Sequence, residues 1–245
     1  MYFDEYGNRD NPTVVLLHGA GMTDSFANQY CFSDCYHLVV PHLYGSGREV
    51  DTPYDPQACA HGVAEIVMGL GKAGVSVVGH SVGAEVALLL VTQFEPLFLR
   101  AAFLSPWLCA SERTIHRYAR LANFASRQRR SAARVRLNAR YWHLDEKQTA
   151  FLVDYAKRIT PEQYRRFFER RVYLDRQPRY PYLTIPMLAV CGAREEREVR
   201  ESVRRLGERN KRCETLVLRG AGHDFPQRKA ARLNPILLDF LQTAV

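Results

Sequence analysis

Val77-Val78-Gly79-His80-Ser81-Val82-Gly83-Ala84 is the stretch whose reading decides the fold. It lies between an aliphatic run, Val75 to Val78, and a run of helical period, Ala84 to Gln93, so its G-x-S-x-G pattern occupies a predicted strand-to-helix turn. A serine on such a turn needs small neighbours, because the strained backbone leaves no room for Cβ atoms at Gly79 and Gly83. The turn lifts Oγ above the sheet edge at the start of the helix, where backbone N–H groups and the helix dipole favour developing negative charge. The bare five-residue pattern is common, and the flanking strand and helix give it weight.

Working outward, further short apolar runs bounded by Gly or Pro appear at Thr13 to Leu17, His37 to Val40, Ala101 to Leu104, Met187 to Val190 and Glu214 to Leu218. Between them lie helical stretches such as Ala58 to Leu70 and Glu196 to Leu206. A last one begins after His223 and is interrupted at Asn234-Pro235, where Asn caps and Pro opens a closing helix towards Leu241. Strands this apolar, alternating with helices, predict an α/β fold with a mostly parallel sheet covered on both faces.

The segment from Pro106 to Tyr180 reads differently. It is helical throughout, with Ser111 as a first cap, Asp145 and Gln148 as a capping-box start, and Thr160-Pro161-Glu162-Gln163 as a third start. It also carries the basicity: 18 Lys and Arg against 7 Asp and Glu, an excess of +11 that leaves −3 for the rest of a chain of net charge +8. The predicted organisation is therefore a core from residues 1–105 and 181–245 with an all-helical, Arg-rich cap inserted at 106–180. Its aromatics, Trp107, Tyr118, Phe124, Trp142, Phe151, Tyr155, Phe167 and Phe168, are expected mainly to be packed, with a minority lining a pocket. Arg113, Arg117 and Arg120 share one helix face, opposite Ile115, Tyr118, Ala122 and Ala125, and Arg127, Arg130 and Arg134 extend the stripe if the helix persists. The expected reading is a solvated face; the sharper one points some of these guanidiniums at a pocket mouth to attract an anionic substrate.

A chain of 245 residues, 47% hydrophobic and 24% charged, is an ordinary globular composition and excludes collagen, coiled coil and disorder. The polar opening, Met1 to Asp10, carries no signal-peptide pattern, and no apolar run approaches the roughly 20 residues of a membrane span. Six cysteines without paired CxxC spacing read as reduced thiols rather than as a disulfide framework or zinc site. The expected compartment is the cytoplasm, with no membrane and no nucleic-acid partner, since no nucleic-acid motif accompanies the arginines.

A serine hydroxyl needs a base and an orienting acid. His223 stands in Gly220-Ala221-Gly222-His223-Asp224, directly after the last predicted strand, where a base would sit. The acid should leave the end of the preceding strand, in Cys191-Gly192-Ala193-Arg194-Glu195-Glu196-Arg197, where two carboxylates compete. Glu195 is preferred, while Glu196 suits the first turn of a helix. Leu17-His18-Gly19-Ala20-Gly21 follows the strongest early strand, and its turn can aim the Ala20 N–H at the same point as the Val82 N–H, forming an oxyanion hole.

With Val15-Leu16-Leu17-His18-Gly19, Gly79-His80-Ser81-Val82-Gly83, Gly192 to Glu195 and Gly220 to His223 together, the sequence resembles the α/β-hydrolase superfamily, in particular single-domain bacterial serine hydrolases with a helical cap. The order Ser81, Glu195, His223 matches the family order of nucleophile, acid and base. Two departures stand out. Many relatives have an Asp-x-x-Gly-x-Gly-x-Ser loop where this chain reads His42 to Glu49, which we take as structural, and the usual acid is Asp. A serine at the nucleophile position argues against the dehalogenase and epoxide hydrolase branches, which use aspartate there.

The resemblance implies a serine hydrolase of a carboxylic ester or related acyl compound, with no cofactor and no metal. Its partner would be a small-molecule acyl substrate, with an anionic one as the variant suggested by the arginines. The alternative reading is a non-catalytic small-molecule receptor retaining the fold. The same machinery also serves thioesters, lactones, amides and carbon–carbon bonds, among which the fold does not choose.

Overall fold

In the computed structural model the described residues are 1–129 and 131–242, without the side chains of 123–129. Phe124, Ala125, Arg127 and Arg130, named above for the cap, thus lie outside the described side chains. The chain runs through β1 (Phe3–Tyr6), β2 (Thr13–Leu17), a 3₁₀ segment (Thr23–Asp34), β3 (His37–Pro41), α1 (Pro56–Gly69), β4 (Val75–His80), α2 (Val82–Gln93) and β5 (Phe98–Leu104). Four helices follow, α3 (Glu112–Arg129), α4 (Ala132–Tyr141), α5 (Glu146–Arg158) and α6 (Pro161–Glu169). Then come β6 (Met187–Gly192), α7 (Arg197–Arg209), β7 (Cys213–Leu218), α8 (Phe225–Arg228) and α9 (Ala230–Gln242).

The strands form one seven-stranded sheet in the order β1-β3-β2-β4-β5-β6-β7. Every pair is parallel except β1 with β3. All six predicted strands are present; β1 was not anticipated, because Phe3-Asp4-Glu5-Tyr6 is half-buried and polar, as an edge strand can be. Alternation along each strand separates two cores. Val15, Leu17 and Val77 face α1, α2 and α7, while Val14, Leu16 and Val78 face Phe26, Phe225 and Leu237 on the other side. From β2 the chain turns to β3 on one side and β4 lies on the other, so the carboxyl ends of β2 and β4 flank a topological switch point, where open α/β sheets place their ligands.

Two expectations about helices change. Asn234-Pro235 does not interrupt the last helix: α9 runs through Pro235, and the Asn234 side chain is committed elsewhere, donating to Asn28 O at 3.0 Å and accepting from Gln29 Nε2 at 2.7 Å. Tertiary bonds to the 3₁₀ segment there outweigh the lost backbone bond at proline. In the insert, the capping boxes at Asp145 and Thr160 form as read, but the first expected helix is two, α3 and α4, so Arg134 does not continue the stripe of Arg113, Arg117 and Arg120.

The helices between β5 and β6 are tied to the sheet by buried polar contacts. Arg171, just beyond α6, pairs with Glu85 of α2, donates to Trp107 O at 3.1 Å and to Phe167 O at 2.9 Å, and lies 4.4 Å from the Trp107 ring centre. Burial lowers the Arg171 pKa to about 10, so it remains charged at neutral pH. Glu85 Oε2 also accepts the Val172 N–H at 3.2 Å. Arg171→Met strands the Glu85 carboxylate and should lower unfolding free energy by about 3–5 kcal/mol in denaturant titration, whereas adding Glu85→Leu should recover most of the loss.

Candidate active site

Ser81 sits between β4 and α2 with φ 57° and ψ −120°, a conformation non-glycine residues rarely adopt. The turn is held by close approaches that only glycine permits. A Cβ on Gly79 would meet Gly83 O at 2.2 Å, and one on Gly83 would meet Leu17 O at 2.0 Å. The Ser81 N–H donates to Leu104 O at 2.8 Å, anchoring the turn to β5. Its hydroxyl is thereby left free to face His223.

His223 joins the predicted residues. Its Nε2 lies 3.0 Å from Ser81 Oγ and its Nδ1 3.1 Å from Glu195 Oε1. The loops that carry it and Glu195 are zipped together: Ala193 N–H donates to Leu218 O and Arg194 N–H to Ala221 O, each at 2.9 Å. Gly192 makes this possible, since a Cβ there would meet Ala221 O at 2.4 Å.

Between the two competing carboxylates the geometry is unequal. The Glu195 side chain is 1% exposed and accepts from His223, from the Ser105 hydroxyl at 2.5 Å and from Gly192 N–H at 3.3 Å. Glu196 is 51% exposed and instead accepts from Tyr118 OH at 2.6 Å and Arg117 at 3.2 Å. Ser105 was missed in the sequence. It is fully buried at the end of β5 with φ 53°, and Leu104-Ser105-Pro106, a strand ending in a small polar residue before proline, is the signal that marks it.

Two buried histidines shape the walls. His18 Nδ1–H donates to Gly19 O at 2.7 Å, and its Nε2 accepts from Leu43 N–H at 3.0 Å, which binds the Gly19-Ala20-Gly21 turn to the loop after β3. His80 Nε2–H donates to His223 O at 2.9 Å and so holds the backbone of His223. Burial pushes both down to a pKa of about 3, with the neighbouring His223 a second cause at His80. Ala20 and Val82, the two expected oxyanion donors, line one cavity with Ser81, His223 and Glu195. Val82 opens α2, where N–H groups have no partner within the helix. The cavity measures about 760 Å³ and is lined by Tyr155 of α5, Ile159 just beyond it, and Tyr164, Phe167 and Phe168 of α6. Arg113, Arg117 and Arg120 are exposed and do not line it; the arginines that do are Arg171, Arg194, Arg197 and Arg200. The stripe is a solvated face. The loop from His42 to Glu49 supplies structure instead, taking the Tyr155 hydroxyl on Gly45 O at 3.0 Å.

Residues 14–236 match the model of the "Alpha/beta hydrolase family". The chain belongs to the alpha/beta hydrolase family. Among solved structures, this hydrolase is similar to a thermophilic esterase from Thermogutta terrifontis (TM-score 0.75, 18% identity, 98% of this chain and 92% of that one). It is also similar to the enol-lactonase from Burkholderia xenovorans LB400 (TM-score 0.76, 18% identity, 99% and 96% covered). An esterase from Exiguobacterium antarcticum gives a TM-score of 0.79 at 15% identity, with 99% and 95% covered. At these identities the likeness is one of fold. The uncharacterized protein Rv2715 of Mycobacterium tuberculosis is 30% identical over 99 residues, 38% of this chain and only 29% of that protein's length. Among the described residues of the hydrolase, no helix is long and apolar enough to cross a membrane, and no group of His, Cys, Asp and Glu is arranged to hold a metal ion.

The buried histidines have a measurable consequence. Each stays neutral in the folded state down to about pH 3 but protonates near 6.5 when unfolded, so the unfolded chain binds about two more protons below pH 6.5. Their contribution to stability is complete above pH 6.5 and lost as pH falls towards 3. Unfolding free energy should therefore fall by about 2 kcal/mol per pH unit between pH 6 and 5. In denaturant titrations across that range, His80→Asn should roughly halve the slope.

Proposed function

We propose that this hydrolase cleaves carboxylic esters through an acyl-enzyme, with Ser81 as nucleophile, His223 as base and Glu195 as the orienting acid. The observation that carries the reading is the placement of one imidazole at 3.0 Å from Ser81 Oγ and 3.1 Å from Glu195 Oε1, open to a cavity of about 760 Å³. Ser81 Oγ attacks the carbonyl carbon while its proton passes to His223 Nε2. Glu195 holds Nδ1–H and stabilises the imidazolium, itself kept in place by Ser105 and Gly192. The Ala20 and Val82 N–H groups receive the oxyanion. His223 then returns the proton to the leaving alcohol, and water releases the acyl group by the same steps in reverse. The chemistry calls for no cofactor or metal, and the six free thiols support a cytoplasmic setting.

Labelling with a fluorophosphonate and turnover of p-nitrophenyl esters of rising chain length test the reading. Ser81→Ala should abolish labelling and lower kcat on the order of 10³-fold or more while the fold persists by circular dichroism. Full activity in that variant, or a folded wild type that neither labels nor turns over any ester, would favour a ligand receptor instead. For the acid, Glu195→Gln should lower kcat by about 10²–10⁴-fold, because a neutral amide neither stabilises the imidazolium nor enforces its tautomer. Glu196→Gln, whose partners are Tyr118 and Arg117, should stay within a few-fold of wild type. The reverse ranking would transfer the role to Glu196.

A further inference from the structure

Four arginines and three carboxylates line the cavity that holds Ser81, and they are unevenly matched. Arg171 is paired with Glu85, Glu195 is committed to His223, and Glu196 is held by Arg117 and Tyr118. That leaves Arg194, Arg197 and Arg200 against Asp224. The three arginines are exposed, and none makes a side-chain hydrogen bond or ion pair among the described residues.

The rest of α7 provides the contrast. Arg204 pairs with Glu201 and Glu208, and Arg205 and Arg209 pair with Asp175. The arginines of α7 that lie away from the cavity are thus all matched, and the two that line it are not. Nearby carboxylates are already taken: Glu198 accepts from Trp107, Ser111 and Thr114, and Glu201, one turn beyond Arg197, is bound to Arg204. Arg197 and Arg200 are three residues apart on a helix, which places them on one face with about 5–6 Å between Cβ atoms. Arg194 stands immediately before Glu195, its N–H fixed on Ala221 O at 2.9 Å.

Unmatched cations in the wall of a cleft attract anions, because the low-dielectric walls focus the field and charges closer than the Debye length, ~8 Å at physiological salt, are only partly screened. The attraction depends on the field of the wall and needs no particular hydrogen bond. We propose that the wall formed by Arg194, Arg197 and Arg200 selects esters that carry an anionic group, a carboxylate or a phosphate, at a distance from the ester bond. The anion takes no part in the chemistry. Ser81 Oγ bonds to the acyl carbon, the bond from the acyl carbon to the alcohol oxygen breaks, the serine proton leaves with the alcohol by way of His223, and water releases the acid. The anion can stand on the acyl half or on the alcohol half. The proposal rests on the serine hydrolase reading and adds a substrate class to it, with the charge supplied by α7 and the loop before it rather than by the cap arginines Arg113, Arg117 and Arg120.

The test uses two matched pairs of esters. Ethyl hexanoate and monoethyl adipate differ by a terminal methyl replaced with a carboxylate on the acyl half, and butyl butanoate and 3-carboxypropyl butanoate make the same change on the alcohol half. In at least one pair the wild type should favour the anionic ester by about fivefold or more in kcat/KM at an ionic strength of about 0.01 M, and the preference should vanish near about 1 M, where the Debye length falls to ~3 Å. The pair that shows it identifies the half that carries the anion. The double variant Arg197→Gln, Arg200→Gln should bring the ratio close to one. Arg204→Gln, Arg209→Gln removes the same charge from α7 outside the cavity and should keep the wild-type ratio; all four side chains are exposed, so both variants should fold. A wild-type ratio near one in both pairs, a preference retained without Arg197 and Arg200, or one lost equally without Arg204 and Arg209 overturns the proposal. Fluorophosphonate labelling of Ser81 in the same samples keeps the two claims apart. A labelled, active enzyme indifferent to the carboxylate overturns the anion preference alone, and an unlabelled, inactive one overturns the hydrolase reading together with it.

Discussion

The approach of α2 to the end of β2 is the contact on which the rest of the site depends. Gly83 lies so close to Leu17 that a Cβ would sit 2.0 Å from its carbonyl oxygen, and Gly79 lies equally close to Gly83. Those two approaches go with the φ of 57° at Ser81, and the start of α2 and the Gly19-Ala20-Gly21 turn line one cavity. A side chain at either glycine would push the helix off the sheet and separate the hydroxyl from both the turn and the histidine. The strain at Ser81 is tolerated because β4 is buried in the middle of a parallel sheet, with β2 and β5 paired on either side.

Behind the histidine, the structure fixes position through hydrogen bonds rather than bulk. Glu195 receives three donors and is nearly inaccessible, so it has little freedom to turn away from His223. His80 secures the His223 carbonyl, and its burial keeps it neutral. His18 plays the matching part on the other wall by binding the Gly19 turn to Leu43. The His223 side chain, 54% exposed, is held through its two ring nitrogens alone, to Glu195 and to Ser81.

The inserted helices depend on a different balance. Their exposed surface is rich in arginine and contributes little by itself, because charges in water are screened. What attaches them is apolar packing of Tyr155, Ile159, Tyr164 and Phe167 into the main core, together with polar links of which Arg171 to Glu85 and Tyr155 to Gly45 are buried and Tyr118 with Arg117 to Glu196 is exposed. The last of these gives Glu196 a role in joining α3 to the loop that carries Glu195, so two adjacent carboxylates serve separate purposes. The same insert lines the cavity from each of its helices, with Tyr118 of α3, Asn138 of α4, Tyr155 of α5 and Tyr164 of α6.

Local patterns in the sequence were enough for the elements whose causes are local. Apolar runs predicted β2 to β7, Asp145 with Gln148 and Thr160 with Gln163 predicted the starts of α5 and α6, and two glycines around Ser81 predicted its turn. Neighbouring residues alone satisfy those requirements. The passage of α9 through Pro235 and the polar edge strand β1 were not legible, because each is settled by contacts far along the chain. For the site, spacing narrowed the acid to two carboxylates, and only the folded loop, with Ser105 and Gly192 converging on one side chain, separates Glu195 from Glu196. The strand end before Pro106 marks Ser105 as a small polar residue, but its partner is 90 residues away, so only the fold shows that its hydroxyl is committed to Glu195.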